Sequence, residues 1–180
     1  MKEFIELGNP VTDYELSYDR PHYEAQEHTP DHEATEWVID MIIADNEASS
    51  VNNALNHLGY DVTITRQTHW EIITSGERNK VLKRIDDTGE LYNSNKEYIS
   101  QTLSGENRAS LLVRQKEDMH GRAKFESLTE RFEIHELIKL KRGVIWNVSV
   151  NGGNFETVLR EILNTHILYN PLSHECYRIN

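Results

Sequence analysis

The segment Arg66-Gln-Thr-His-Trp70 decides the fold, because it recurs 76 residues later as Arg142-Gly-Val-Ile-Trp146. The match continues at a spacing of 77 residues, where Val81-Leu82 and Leu91-Tyr92-Asn93 correspond to Val158-Leu159 and Leu168-Tyr169-Asn170. A fixed period of this kind indicates a duplicated structural unit. We therefore predict two repeats, residues 35–100 and 109–180. A polar linker at 101–108 joins them, and an acidic extension at 1–34 precedes them.

Both repeats carry the same order of secondary-structure patterns. In the first, the apolar run Trp37 to Ala44 indicates a strand, and Val51, Ala54, Leu55 and Leu58 share one face of a helix that ends at Gly59. Two short strands then follow around Val62 to Ile64 and Trp70 to Ile72, before a helix at Val81 to Ile85 and a strand at Tyr98-Ile99. The predicted order is βαββαβ.

The second repeat shows this order with clearer periodicity. Val144, Trp146, Val148 and Val150 alternate as in a strand, and Phe155, Val158, Leu159, Ile162 and Leu163 form a helical stripe. We thus predict an α+β protein made of two tandem ferredoxin-like βαββαβ units with antiparallel sheets. A unit of this size buries little surface alone, so the copies should stack their sheets or pair edge strands within one chain.

The repeat motifs resemble PurS, the small subunit of phosphoribosylformylglycinamidine synthase. In the first repeat the resemblance rests on Ser49 to Tyr60, on Val62 to Ile72 and on the helix ending in Leu91-Tyr-Asn93; in the second it rests on Arg142-Gly143, Val158-Leu-Arg-Glu161, Leu168-Tyr-Asn-Pro171 and Tyr177-Arg178. It covers about 50 residues of each copy. The lysine of the family's R-x-G-K motif is replaced by His69 and by Ile145, and its D-P-Q-G segment is absent.

The resemblance implies a covalent version of a PurS dimer, paired through its sheets. Such a chain would act in purine biosynthesis without catalytic residues or a cofactor of its own, by bridging the ATP-dependent synthetase and the glutaminase subunits. An alternative remains open, because one fold hosts many functions: a small-molecule-binding or regulatory module on the same duplicated fold. The sequence also leaves open whether the chain associates further with itself.

The repeated polar and aromatic positions are the candidates for binding a partner or ligand, namely Arg66, Trp70, Arg142, Trp146 and Asn170. A strand-end arginine can hold an anion with two hydrogen bonds, although a surface salt bridge is the commoner role. Trp146 lies on the alternating apolar face, which favours a core position over ligand stacking.

The histidine-rich segment of the extension contains His22, His28 and His32. Imidazole and carboxylate groups suit zinc, so a metal-dependent activity there is a third hypothesis. We favour a solvated loop and predict no metal site, because Pro30 interrupts any helix and the segment is strongly acidic.

Composition narrows the remaining classes of protein. The formal net charge is −11, which repels phosphate backbones and argues against nucleic-acid and membrane-surface binding. The chain shows no apolar stretch long enough to span a bilayer and no secretory pattern at its start, so we expect a cytoplasmic protein. Its one cysteine, Cys176, excludes a disulfide framework and favours a buried structural thiol.

Overall fold

The computed structural model describes residues 25–101 and 107–179, which form a mixed α+β fold. The described elements are β1 (Gln26–Glu27), β2 (Thr35–Met41), α1 (Asn46–His57), β3 (Val62–Thr74), α2 (Arg78–Thr88), β4 (Glu97–Ser100), β5 (Arg108–Gln115), α3 (Met119–Glu126), β6 (Leu137–Val150), α4 (Phe155–Asn164) and β7 (His174–Ile179). A π-helical turn, Ser127–Arg131, follows α3. None of the helices in these two ranges has the length and apolar character that crossing a bilayer requires.

All seven described strands belong to one sheet, in the order β1-β7-β5-β6-β3-β2-β4. Every neighbouring pair is antiparallel except β1 and β7, which run parallel. The predicted α+β class is confirmed. The expectation of purely antiparallel sheets is corrected, because the acidic extension contributes β1 to the edge of the sheet.

The predicted βαββαβ order is wrong at one point in each repeat. The two short strands expected between the helices form one continuous strand, β3 in the first repeat and β6 in the second. Neither Thr65 to His69 nor Lys141 to Gly143 contains a two-residue turn signal of the Asn-Gly type. Instead, β3 pairs with β6 from Val62↔Val150 to Thr74↔Leu137, so the two halves of the molecule join through edge strands.

The register of this central pair is symmetric about Thr68 and Val144, which are 76 residues apart. Thr68 pairs with Val144, Arg66 pairs with Trp146, and Trp70 pairs with Arg142. Each partner is thus the repeat equivalent of a residue on the opposite strand. The two halves are accordingly arranged around an approximate twofold axis that passes through the pair Thr68 and Val144.

The helices pack on one face of the sheet, in two pairs that mix the repeats. Ala48 and Leu55 of α1 share a core with Leu159 and Ile162 of α4 and with Leu111 of β5. Val81 and Ile85 of α2 share the other core with Leu128, in the turn after α3. Helix α1 therefore packs on the half of the sheet that consists mostly of strands from the second repeat. Helix α3 packs on the half that consists mostly of strands from the first repeat.

Candidate ligand-binding groove

A cavity of about 450 Å³ lies on the helical face, beside the approximate twofold axis. We call it the central groove. Its polar lining includes Glu47, Arg66, Asp118, Arg142, Asn170 and His174, and Val113, Val144 and Trp146 contribute apolar surface. Four of the five residues singled out from the sequence, Arg66, Arg142, Trp146 and Asn170, therefore line one cavity.

Arg66 is held in an ion-pair network at the start of α1. Its Nε atom donates to Asp45 Oδ2 at 2.8 Å, and its Nη1 atom donates to Glu47 Oε2. The other Asp45 oxygen caps α1 by accepting the amides of Glu47 and Ala48. Burial raises the pKa of Asp45, but the Ala48 amide and Arg66 outweigh it, so the pKa lies below its usual 3.8. Arg66 is thus neutralised within the protein.

Arg142 occupies the equivalent position but lacks an equivalent network. Asp118, which caps α3, accepts the Gly121 amide with Oδ1 at 2.7 Å and the backbone amide of Arg142 with Oδ2 at 2.6 Å. Within residues 25–101 and 107–179, the half-buried Arg142 guanidinium has no hydrogen-bond or ion-pair partner. Burial lowers the pKa of Arg142, yet an arginine remains protonated at neutral pH. The groove therefore contains a charged group without a paired counter-ion.

The two tryptophans have different surroundings. Trp146 is 4% exposed and belongs to the core that contains Leu111, which confirms the predicted core position. Its ring also borders the groove, and the Arg66 guanidinium lies 5.9 Å from the ring centroid. Trp70 is only 2% exposed and lies outside the groove, where its indole N–H donates to the Leu91 carbonyl at 3.1 Å. Trp70 is a core residue, and the duplication does not give it a ligand-binding environment.

The loop between α4 and β7 forms one wall of the groove. Asn170 Oδ1 accepts the Leu172 amide at 3.0 Å, and the Asn170 amide donates to His174 Nδ1 at 3.2 Å. These bonds use the backbone amide and Oδ1 of Asn170 and the Nδ1 atom of His174, so the side-chain Nδ2 of Asn170 and the Nε2 of His174 are further polar atoms of two residues that line the groove. Both add hydrogen-bonding capacity beside Arg142.

The histidines of the acidic extension are separated in space. His32 is exposed beside Asp31. His28 lies against Glu36 and His69, on the face of the sheet opposite the helices and the central groove. His22 is outside the described residues. Sequence reasoning did not associate Glu36 or His69 with His28, because they lie 8 and 41 positions away and only the strand register brings them together.

Cys176 is buried on β7, and burial raises the pKa of its thiol to about 12. This environment disfavours a nucleophilic role.

No protein-family model matches the chain, and no curated protein is significantly similar to it in sequence.

Proposed function

We propose that the protein is a binding module that takes a small organic anion, a carboxylate or a phosphate ester, in the central groove. The observation that carries the proposal is the Arg142 guanidinium, which lines the groove without a paired counter-ion among the described residues. Leaving a half-buried charge unpaired is costly, so an anionic ligand would remove a destabilising feature of the free protein.

The nearby carboxylates of Asp118, Glu47 and Glu97 favour the charged form of Arg142, but among the described residues none forms a hydrogen bond or an ion pair with its guanidinium. Asp118 uses both oxygens on backbone amides, and Asp45 and Glu47 are engaged by Arg66. A ligand carboxylate or phosphate could accept two parallel hydrogen bonds from Arg142, the geometry that guanidinium groups favour. A volume of about 450 Å³ falls within the range of small-molecule sites.

The test is a binding assay on the full chain with inorganic phosphate, citrate and glucose 6-phosphate as probes. Calorimetry and thermal shift should detect at least one of them, and Arg142→Ala should weaken that binding about 10- to 150-fold, the loss expected for charged hydrogen bonds. The exposed Arg160 on α4 provides a control, because Arg160→Ala removes the same charge away from the groove. Equal affinity in Arg142→Ala and the native chain would refute the proposal.

A second candidate is the bridging role that the resemblance to PurS implies. The twofold register between β3 and β6 favours it, because a tandem PurS would pair its two copies in one chain. Each half of the sheet, with the helices that pack on it, also contains six elements in the spatial order βαββαβ. In each half, one helix and the strand segment that follows it come from the other repeat. In the second half the order runs through β5, α1, the start of β3, the end of β6, α4 and β7.

This candidate makes a different experimental demand. Adding the chain to a synthetase and a glutaminase subunit from the same source should restore glutamine-dependent amidation, and the three proteins should co-purify. Absence of association at micromolar concentrations would contradict the bridging role and leave the anion-binding proposal untouched.

A further inference from the structure

The face of the sheet opposite the described helices contains a cluster of two histidines and a glutamate, in which His69 is buried, His28 is partly buried and Glu36 is exposed. His28 Nε2 lies 2.6 Å from Glu36 Oε1, and His69 Nε2 lies 2.9 Å from the same oxygen. The His69 side chain is 1% exposed and that of His28 is 5% exposed. Three residues that are distant in the sequence therefore direct nitrogen and oxygen donors at one point.

We propose that His28, Glu36 and His69 form a binding site for a divalent transition-metal ion, with Zn²⁺ as the ion that best suits the donors. Zinc commonly takes imidazole nitrogen and carboxylate oxygen, and two histidines with one glutamate leave a fourth position open. This site is independent of the central groove, which lies on the other face of the sheet.

The spacing of the donor atoms fits the ion. One ligand atom from each residue lies within 4.8 Å of the other two. A tetrahedral Zn²⁺ with bonds of about 2.0–2.1 Å needs its ligand atoms about 3.3 Å apart. The two nitrogen–oxygen separations of 2.6 and 2.9 Å are slightly shorter, so small side-chain rotations would open the cluster around an ion.

Hydrogen bonding within the cluster satisfies only one of the two ring nitrogens of the buried His69 side chain. Its Nε2 atom interacts with Glu36, but its Nδ1 atom is buried without a hydrogen-bond partner. Burying a polar group with one nitrogen unsatisfied is unfavourable. An ion bound at Nε2 would leave Nδ1 without a partner, so Nε2 is the ligand atom of His69 and Nδ1 takes no part in the proposed site.

The surroundings give the site access to solvent. Glu71 lies directly opposite Glu36 in the strand register, but Arg114 at 2.8 Å and Lys139 at 3.7 Å balance its charge, so the ion would be held by its three ligands. His28 also lines a cavity of about 400 Å³ together with Asp31. This cavity would let a water molecule reach the fourth coordination position.

The site would fasten one segment of chain across the sheet. Residues 28–34 lead from β1, at one edge, to β2, which lies beyond four intervening strands. His28 begins this segment, Glu36 lies in β2 and His69 lies in β3. A bound ion would therefore link the crossing segment to two strands and stabilise the folded chain.

The test uses the full chain, stripped with a chelator and titrated with Co²⁺ and Zn²⁺. We expect one Co²⁺ per chain with visible absorption bands typical of four- or five-coordinate sites, displacement of these bands by Zn²⁺, and a higher melting temperature with Zn²⁺. Glu36→Gln and His69→Gln should each weaken binding at least about a hundredfold, since loss of even an outer partner of a metal ligand costs 10- to 100-fold.

His32→Ala is the matched control, because His32 is an exposed histidine four positions beyond His28. It should bind Co²⁺ as the native chain does. Should His69→Gln fail to fold, His28→Gln provides the same test from outside the sheet. Failure of the native chain to bind either ion, unchanged binding in Glu36→Gln and His28→Gln, or an equal loss in His32→Ala would overturn the proposal.

Discussion

The buried ion pair between Glu71 and Arg114 lies on the same face of the sheet as the proposed metal site. It offers a direct test of how much a buried charge pair contributes to the stability of the fold. Arg114 Nη2 donates to Glu71 Oε2 at 2.8 Å, and the two side chains are 9% and 4% exposed. Removing one partner of a buried pair typically costs 3–5 kcal/mol, because the other charge is left uncompensated. The free energy of unfolding of an ordinary domain is about 5–15 kcal/mol, so either single substitution should lower it by an easily measured fraction.

The structure predicts that the two substitutions are unequal. After Arg114→Met, Glu71 keeps Lys139 at 3.7 Å, and the buried Arg114 Nε atom that lacks a hydrogen-bond partner is removed as well. We expect a loss of about 3 kcal/mol. After Glu71→Leu, Arg114 has lost its carboxylate and lies near Lys139 and Lys141, which line the same cavity. We expect a loss of about 4–5 kcal/mol.

Urea denaturation of both single variants and of the double variant measures these values as a double-mutant cycle. The double variant should lie within about 1 kcal/mol of the native chain, because apolar replacement of a whole buried pair is often neutral. Lys83→Ala is the control, since Lys83 and Asp87 form an exposed pair on α2 that should contribute less than about 1 kcal/mol. A Glu71→Leu loss as small as that of the control, or strictly additive losses, would refute the reasoning.

Three further outcomes follow from single sites. Gly143→Ala should destabilise the chain by about 1–3 kcal/mol in urea, because a Cβ atom there would lie 2.5 Å from Leu112 Cδ1 in a packed core; native stability would contradict the packing described. Asp45→Ala should cost about 1–2 kcal/mol, since it removes the cap of α1 and the partner of Arg66. Because the pKa of folded Asp45 lies below 3.8, its contribution is present above about pH 4 and is lost as the pH falls through the folded-state pKa; acid titration of the native chain and Asp45→Ala should therefore converge at low pH. Cys176, whose pKa is raised to about 12, should react with a thiol reagent at pH 8 about a thousandfold more slowly than the thiol of the unfolded chain, and a rapid reaction would show that β7 opens readily.

Local patterns in the sequence were sufficient for the regular elements that bury one clear apolar face. The stripe on α4 places Leu159, Ile162 and Leu163 in the core, as predicted. The stripe on α1 was less informative: Leu55 is buried, but Leu58 is 60% exposed. Helix α1 packs against β3 of its own repeat and shares its core with β5 and α4 of the other repeat, and periodicity within one segment contains no information about such partners.

The polar face of the sheet could not be predicted for a related reason. Alternation of polar and apolar residues in a strand normally indicates that the polar side faces water. In β3 that side carries Gln67, His69 and Glu71, all of which are buried. Their partners come from other strands and from the extension: Asn147 donates to Gln67, and His28 meets the same Glu36 carboxylate as His69. A pattern read along one strand cannot show these cross-strand contacts.

The differences between the repeats, rather than their similarity, account for both candidate sites. The register makes Ile145 the equivalent of His69 and Ser110 the equivalent of Glu36, so the second repeat lacks the donors of the proposed metal site. In the same way, Asp45 neutralises Arg66, whereas the second oxygen of Asp118 accepts the backbone amide of Arg142, so the Arg142 guanidinium has no ion-pair partner among the described residues. A duplicated chain with two equivalent sites would bind two ions and two anions. Divergence at these few positions predicts a stoichiometry of one ion and one anion per chain, which calorimetry on the native protein measures directly.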